Sequence, residues 1–265
     1  MIRQWLIRLQ WVLDVQFGLA PDRLLKAVLK MPRFLGEWLA FRRAWSGELR
    51  LMPCLHDRSA EGGDARSEYF WQDLLVARAI HDAAPERHVD VGSRVDGFVA
   101  HVASFREIEV FDVRPVRSEV PGVVFRQADL MRAESLPGRP EEGYCDSLSC
   151  LHALEHFGLG RYGDPIDPQG AERGLANMAT LLRPGGRFYL SVPIGRERVE
   201  FNANRVFSPR ALLDLAGASG LVLDHLVVIR GGQVLREAAT EAWLAELSSS
   251  EYSLGLFVFV KSPRS

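Results

Sequence analysis

The sequence predicts an α/β protein in which a doubly wound, seven-stranded, Rossmann-like sheet carries a helical extension at its N-terminus. Three observations predict it. From residue 67 onward, short β-branched apolar runs alternate with stretches of helical spacing, the pattern of a parallel sheet flanked by helices. In Arg87-His-Val-Asp-Val-Gly-Ser-Arg-Val-Asp-Gly97 such a run stops at a glycine and a helical pattern follows, so strand, tight turn and helix start succeed one another. Acids close the first three runs, at Asp90, Asp112 and Asp129.

A chain of 265 residues with 47% hydrophobic content can bury a full core. The net charge of −2 gives no case for nucleic acid as the main partner, but the charge is uneven. Residues 1 to 50 hold nine Lys/Arg against four Asp/Glu, so that segment is +5 and the remainder −7. Cys54, Cys145 and Cys150 form no Cys-x-x-Cys pair and are too few for a disulfide framework. They predict a reducing, cytoplasmic compartment and a role as apolar filler. No run of about 18 uncharged apolar residues exists, and Arg8 and Asp14 interrupt the first apolar stretch. Neither a membrane span nor a secretory signal is expected.

The predicted extension covers residues 1–60. Trp5, Leu6, Leu9, Trp11, Val12 and Leu13, and then Leu24, Leu25, Val28 and Leu29, are spaced as short amphipathic helices with Pro21 and Pro32 as breaks. Trp5, Trp11, Trp38 and Trp45 beside the basic excess suit two roles. The favoured one is a cap packed on the main domain or on a second copy of the chain in a homodimer. The other is weak contact with the inner face of a membrane. Asp57 to Arg66 is polar and carries Gly62-Gly63, a linker, and the main domain runs over 67–265.

Within that domain Ser67 to Ala84 is a predicted helix leading into the strand at Val89 and Val91. Gly97 to Phe105 spaces Phe98, Val102 and Phe105 at helical intervals. Glu107 to Pro115, Val123 to Asp129 and Tyr144 to Leu151 follow as strands, the last leading at once into His152-Ala-Leu-Glu-His156. Ala171 to Leu182 is helical, Arg183-Pro-Gly-Gly186 a turn, and Arg187 to Pro193 a fifth strand. Leu221 to Ile229 and Leu254 to Val260 supply two more, separated by a helix from Glu237 to Leu247.

The first turn is where a ligand fits. Backbone N–H groups at a helix start are unsatisfied, so a bound group can occupy the crevice above the strand end. Asp90 there can hold a cation, and Gly92 lets a ligand approach the backbone. Asp112 lies about twenty residues past the turn, where a carboxylate accepts two ribose hydroxyl protons.

The strand order, the three acids and the turn Leu182-Arg-Pro-Gly-Gly-Arg-Phe188 together resemble the class I S-adenosylmethionine-dependent methyltransferases over Tyr69 to Lys261. Asp146-Ser-Leu-Ser-Cys-Leu-His-Ala-Leu-Glu-His156 looks like the fourth-strand motif of that superfamily. More narrowly, Tyr69-Phe-Trp-Gln-Asp73, Gly158-Leu-Gly-Arg-Tyr-Gly-Asp-Pro165 and Phe201-Asn-Ala-Asn-Arg205 resemble a methyltransferase-like family catalogued as domain of unknown function 268. Members of that family are often encoded among surface-polysaccharide genes. The resemblance implies S-adenosyl-L-methionine as cofactor, held by Asp90, Gly92, Ser93, Asp112, Asp129, Leu130 and Leu151. It implies a carbohydrate-like small molecule or a lipid-linked glycan as acceptor. One departure stands out, because the superfamily's first motif runs Asp-x-Gly-x-Gly-x-Gly, whereas Arg94 and Val95 occupy this turn. Their β-carbons resist positive φ and fill space near the cofactor's methionine end, so altered, weakened or lost cofactor binding is expected.

Methyl transfer is an in-line displacement, so the protein mainly aligns donor and acceptor and excludes water. A hydroxyl acceptor also needs a base, and His152, immediately beyond the fourth strand, is the first choice. His156 and Asp164 are the further catalytic candidates. Arg161, Tyr162, Asn202, Asn204 and Arg205 suit a hydroxylated or anionic acceptor. The leading expectation is therefore O-methylation of a carbohydrate-like acceptor, with no metal. Two alternatives remain. One is a catalytically silent methyltransferase-like module that binds a partner through its basic helices. The other is a zinc hydrolase, since His152, Glu155 and His156 spell the H-x-x-E-H pattern.

Overall fold

A computed structural model of the chain describes residues 12–59, 63, 65–137 and 143–263. Trp5, Leu6, Leu9 and Trp11 lie outside them. The chain divides into two units, Met1–Asp64 and Ala65–Ser265.

In the first unit, residues 12–17 are helical and a single helix, α1, spans Pro21–Ala44. Pro21 starts it as expected, because a first-turn residue needs no N–H partner. Pro32 does not break it. A proline inside a helix costs roughly 3 kcal/mol by deleting one hydrogen bond, but the residues around it favour helix, and the pairs Asp22–Lys26 and Arg33–Glu37 join successive turns on either side. None of its side chains is buried.

The second unit is built on one sheet. Its strands are β1 (His88–Val91), β2 (Ile108–Asp112), β3 (Val123–Gln127), β4 (Cys145–Leu151), β5 (Leu182–Ile194), β8 (Leu221–Arg230), β9 (Gln233–Leu235) and β10 (Ser253–Lys261), in the order β3-β2-β1-β4-β5-β10-β8-β9. A small hairpin, β6 (Arg198–Glu200) with β7 (Asn204–Val206), stands apart. β1 to β5 pair in parallel, while β10 runs antiparallel to both β5 and β8. Because β8 is antiparallel to β10 it runs in the same direction as β1 to β5, so the parallel expectation holds for six of the eight strands; β10 is reversed, and the short β9 is an added antiparallel edge.

Alternation along the strands divides the core between two faces. Phe188, Leu190 and Val192 of β5 and Phe257 and Phe259 of β10 point to one side, whereas Tyr189, Leu256 and Val258 point to the other. Helices α2 (Glu68–Ala83) and α3 (Ala100–Ala103) cover the second face; α4 (Gly170–Leu181), α5 (Pro209–Ala218) and α6 (Glu241–Ser249) cover the first.

Four local readings change. Between β1 and α3 the chain makes a wide turn, Val95–Val99, instead of entering an α-helix at Gly97. The Arg183 to Gly186 turn lies inside β5 as a bulge, for Cys145 pairs with Leu182 but Ser147 with Arg187. The last helix begins at Glu241, where the Thr240 hydroxyl caps it by accepting from Trp243 N. Helix α5 was not anticipated, although Ser208 followed by Pro209 is a start signal and the Ser208 hydroxyl accepts from Ala211 N.

Candidate active site

Strand order reverses at β1, with β2 on one side and β4 on the other, so the crevice lies above the carboxyl ends of these strands. The chain leaves β1 through Gly92 at φ 78°. A β-carbon there would lie 2.7 Å from the Ala153 β-carbon, so glycine is needed for the turn to pass beneath the β4 exit. Arg94 has φ −71° and pairs through both guanidinium arms with Asp96 on the surface. The turn demands no positive φ at Arg94, and its departure from the glycine motif costs no strain there.

Asp90 does not present its carboxylate to the crevice. It is fully buried, accepting from Ser93 N, Ser93 Oγ and Ser149 Oγ. Burial, against those hydrogen bonds, pushes its pKa up to about 7. Ser149 also meets His88 Nε2, and burial holds that imidazole down at about 3 and therefore neutral. Asp90 and Ser93 thus shape the turn from below instead of holding a ligand cation.

Asp112 ends β2 as expected, but Arg114 already grips it: Nε donates to Oδ1 at 3.0 Å and Nη2 to Oδ2 at 2.6 Å. The same guanidinium reaches the Gly92 carbonyl oxygen and stacks 4.4 Å from the centre of the Tyr162 ring. Asp129 lies two residues past β3, accepts from Met131 N and pairs with Arg132. Leu130 is buried under it and its carbonyl accepts from Asn177; Leu151 is core.

Beyond β4, His152 adopts a left-handed backbone at φ 51°, which a non-glycine residue holds only when its surroundings impose it. Its N–H donates to the Ser191 carbonyl at 3.0 Å, and Nδ1 lies 3.0 Å from Glu155 Oε1. Nε2 and Glu155 Oε2 are buried without a hydrogen-bond partner. Nε2 faces Glu68 Oε1 at 3.6 Å, and Glu68 in turn accepts from the Tyr252 hydroxyl. The Tyr69 ring lies over the imidazole at 4.5 Å. Burial draws His152 toward neutrality, but Glu155, Glu68 and Asp73 outweigh it and leave its pKa above the ordinary histidine value. Burial, with Glu68 beside it, raises Tyr252, which stays a proton donor.

His156 is held differently. Nδ1 contacts the Ala203 carbonyl at 2.7 Å, and burial lowers its pKa. Leu154–His156 is one 3-10 turn and His152 stands outside it, so the helical spacing that lets two histidines of H-x-x-E-H face one metal is not formed. Glu155 Oε1 lies instead between the two rings, 3.0 Å from His152 Nδ1 and 3.6 Å from His156 Nε2.

The glycine-rich loop after this turn is tied to itself. Asp164 accepts from the N–H groups of Gly158, Gly160 and Tyr162, which occupies its carboxylate with holding the loop rather than with proton transfer. Gly158 has φ 74°, and a β-carbon there would collide with the Asp167 carbonyl oxygen. Arg205 is buried, its guanidinium donating to the carbonyls of Glu155, Phe157, Asp167 and Pro168. It clamps the loop through both terminal nitrogens. Asn204 turns its amide to the Arg205 carbonyl and Asn202 is exposed beside it. Arg161 and Tyr162 do meet the crevice: Arg161 donates to the Ala203 carbonyl, and the Tyr162 ring lies 5.4 Å from His156. Tyr162 therefore links the His156 side to the Arg114–Asp112 side. The sequence reading missed Arg114, Glu68, Gln72, Ser191 and Tyr252; only Gln72, in the Tyr69 to Asp73 motif, carried a signal. Gln72 Oε1 accepts from the Ser191 hydroxyl under His152.

The family model described as "Caenorhabditis protein of unknown function, DUF268" matches residues 142–217, from the approach to β4 into α5. No curated protein matches the sequence. Among solved structures, the [4+2]-cyclase SpnF is similar at 15% identity and a TM-score of 0.51, over 77% of this chain and 86% of that one. The N-methyltransferase NodS from Bradyrhizobium japonicum, in complex with S-adenosyl-L-homocysteine, is similar at 13% identity and a TM-score of 0.50, over 74% of this chain and 89% of that one. Strand order, the reversal at β1 and these likenesses lead to one conclusion: the second unit has the class I methyltransferase fold.

Proposed function

We propose that the chain is an S-adenosyl-L-methionine-dependent methyltransferase that methylates a hydroxyl of a carbohydrate-like acceptor, free or lipid-linked. The observation that carries this is His152: a strained backbone, an orienting carboxylate on Nδ1 and an Nε2 with no hydrogen bond, 3.6 Å from the Glu68 carboxylate, set beyond the strand next to β1. When bound, the cofactor supplies a methyl carbon activated by a sulfonium sulfur. The donor set fits it. Asp112, at the tip of β2, would take the ribose diol, and Asp129 with the backbone at Leu130 would take the adenine end. Arg114 must yield part of its grip on Asp112 for that.

In the reaction His152 Nε2 accepts the acceptor's hydroxyl proton as the oxygen attacks, and Glu155 stabilises the imidazolium that results. Tyr69, more than half exposed and lying over the imidazole, is the cover an acceptor has to displace to reach Nε2. Arg161 and Tyr162 flank the entrance, suited to a hydroxylated or anionic ring.

Arg114 also supports a second reading, a silent module whose ribose site is filled by its own arginine, and the fold itself does not decide, since a cyclase shares it. Titration calorimetry with S-adenosylmethionine and S-adenosylhomocysteine separates the two, and a methyl-transfer screen over glycans, with the His152→Asn variant as control, tests the acceptor class. Asn tolerates the left-handed backbone, so loss of turnover in that variant reports on the base rather than on folding.

A further inference from the structure

We propose that α1 is a peripheral membrane-binding helix that lies flat on an anionic lipid surface. At 3.6 residues per turn, Leu24, Leu25, Val28, Leu29, Leu35 and Leu39 fall on one side of the helix, and Phe34 and Trp38 widen that apolar arc to roughly 220°. The opposite side carries Asp22, Arg23, Lys26, Lys30, Arg33 and Glu37. No side chain of the helix is buried, and Leu24 and Leu29 are 68% and 71% exposed.

Two features choose lipid over protein as the occupant. The apolar arc is far wider than the narrow seam that a single partner helix covers, but it matches a helix sunk sideways into the headgroup boundary. The helix is also strongly cationic, with Arg23, Lys26, Lys30, Arg33, Arg42 and Arg43 against only Asp22 and Glu37. Lys26, Lys30 and Arg33 lie opposite the apolar arc, Arg23 borders it, and Arg42 and Arg43 fall within it at the last turn; cations set around an apolar face in this way complement phosphate headgroups. Among the described residues no helix is long and apolar enough to cross a membrane, so the contact is interfacial.

The test uses the full chain and vesicles of phosphatidylcholine with or without phosphatidylglycerol. Co-sedimentation should require phosphatidylglycerol and weaken about tenfold or more in high salt, where charges are screened within a few ångströms. Leu25→Asp with Leu29→Asp should abolish it, and Lys26→Glu with Lys30→Glu should weaken it independently. Leu25, Leu29 and Lys26 are exposed and Lys30 is half-buried, and none of the four is in a core, so circular dichroism should be unchanged. Equal binding to neutral vesicles, or none to either, overturns the proposal. So does a concentration-dependent dimer in sedimentation velocity that the leucine variants dissolve, which would assign the face to a second copy. None of these readouts depends on methyl transfer.

Discussion

His152 must be neutral to accept a proton, yet its neighbours hold its pKa above the ordinary histidine value of about 6.5. The rate should therefore climb as pH rises through a point above that value. Glu155→Gln removes the charge that raises it, so the acidic limb should move to lower pH while the maximal rate drops; a pH profile with the limb in its original place would take Glu155 out of this role. Asp90 gives a stability signature of opposite origin. Its folded pKa is about 7 and its unfolded value about 4, so the folded state holds the proton more tightly across that window. Stability should fall as pH rises from about 4 to 7 and then level, by roughly 4 kcal/mol at most. Asp90→Asn should flatten this profile in denaturant titrations, and a profile unchanged in the variant would show the carboxylate to be ionised throughout. The position of both residues was legible, since each ends an apolar run before a turn. Their partners were not: Glu68 and Tyr252 meet beside His152 from opposite ends of the domain, and no local pattern encodes that pairing.

At the scale of elements, strands were the most legible features, because β-branched runs with glycine or acid ends mark them. Helices declared by caps instead of by long periodicity were harder to see, as α5 shows. Pro32 misled for a physical reason: one missing hydrogen bond is a fixed penalty, and a helix of good formers on both sides outweighs it. The loop after β4 was legible as a glycine-rich, non-helical segment at the strand ends, but its internal bonding was not. Arg205 stands where an acceptor-binding cation was expected, and it instead ties four carbonyls on both arms of that loop. Arg205→Met should leave those carbonyls unpaired and cost about 2 to 4 kcal/mol, lowering the melting temperature by roughly 5 to 10 °C. A variant that melts with the parent would return Arg205 to the acceptor site.

At the scale of the molecule, the parallel order sets the carboxyl ends of β1, β2, β3 and β4 along one edge of the sheet, and Arg114, held by Asp112 at the tip of β2, reaches the Gly92 carbonyl in the turn after β1. Arg114 sits on the carboxylate proposed to hold the ribose. Arg114→Ala should therefore tighten cofactor binding severalfold, because Asp112 no longer exchanges one partner for another; weaker binding would make Arg114 itself a contact. The most direct measurement is calorimetric titration of the full chain and its Asp112→Ala variant with S-adenosyl-L-methionine. The parent should bind, and the variant should bind at least about tenfold more weakly, for the loss of one or two charge-assisted hydrogen bonds of roughly 1.5 to 3 kcal/mol each. Absence of binding by the folded parent, or equal affinity in a folded variant, would contradict a cofactor site at the tip of β2.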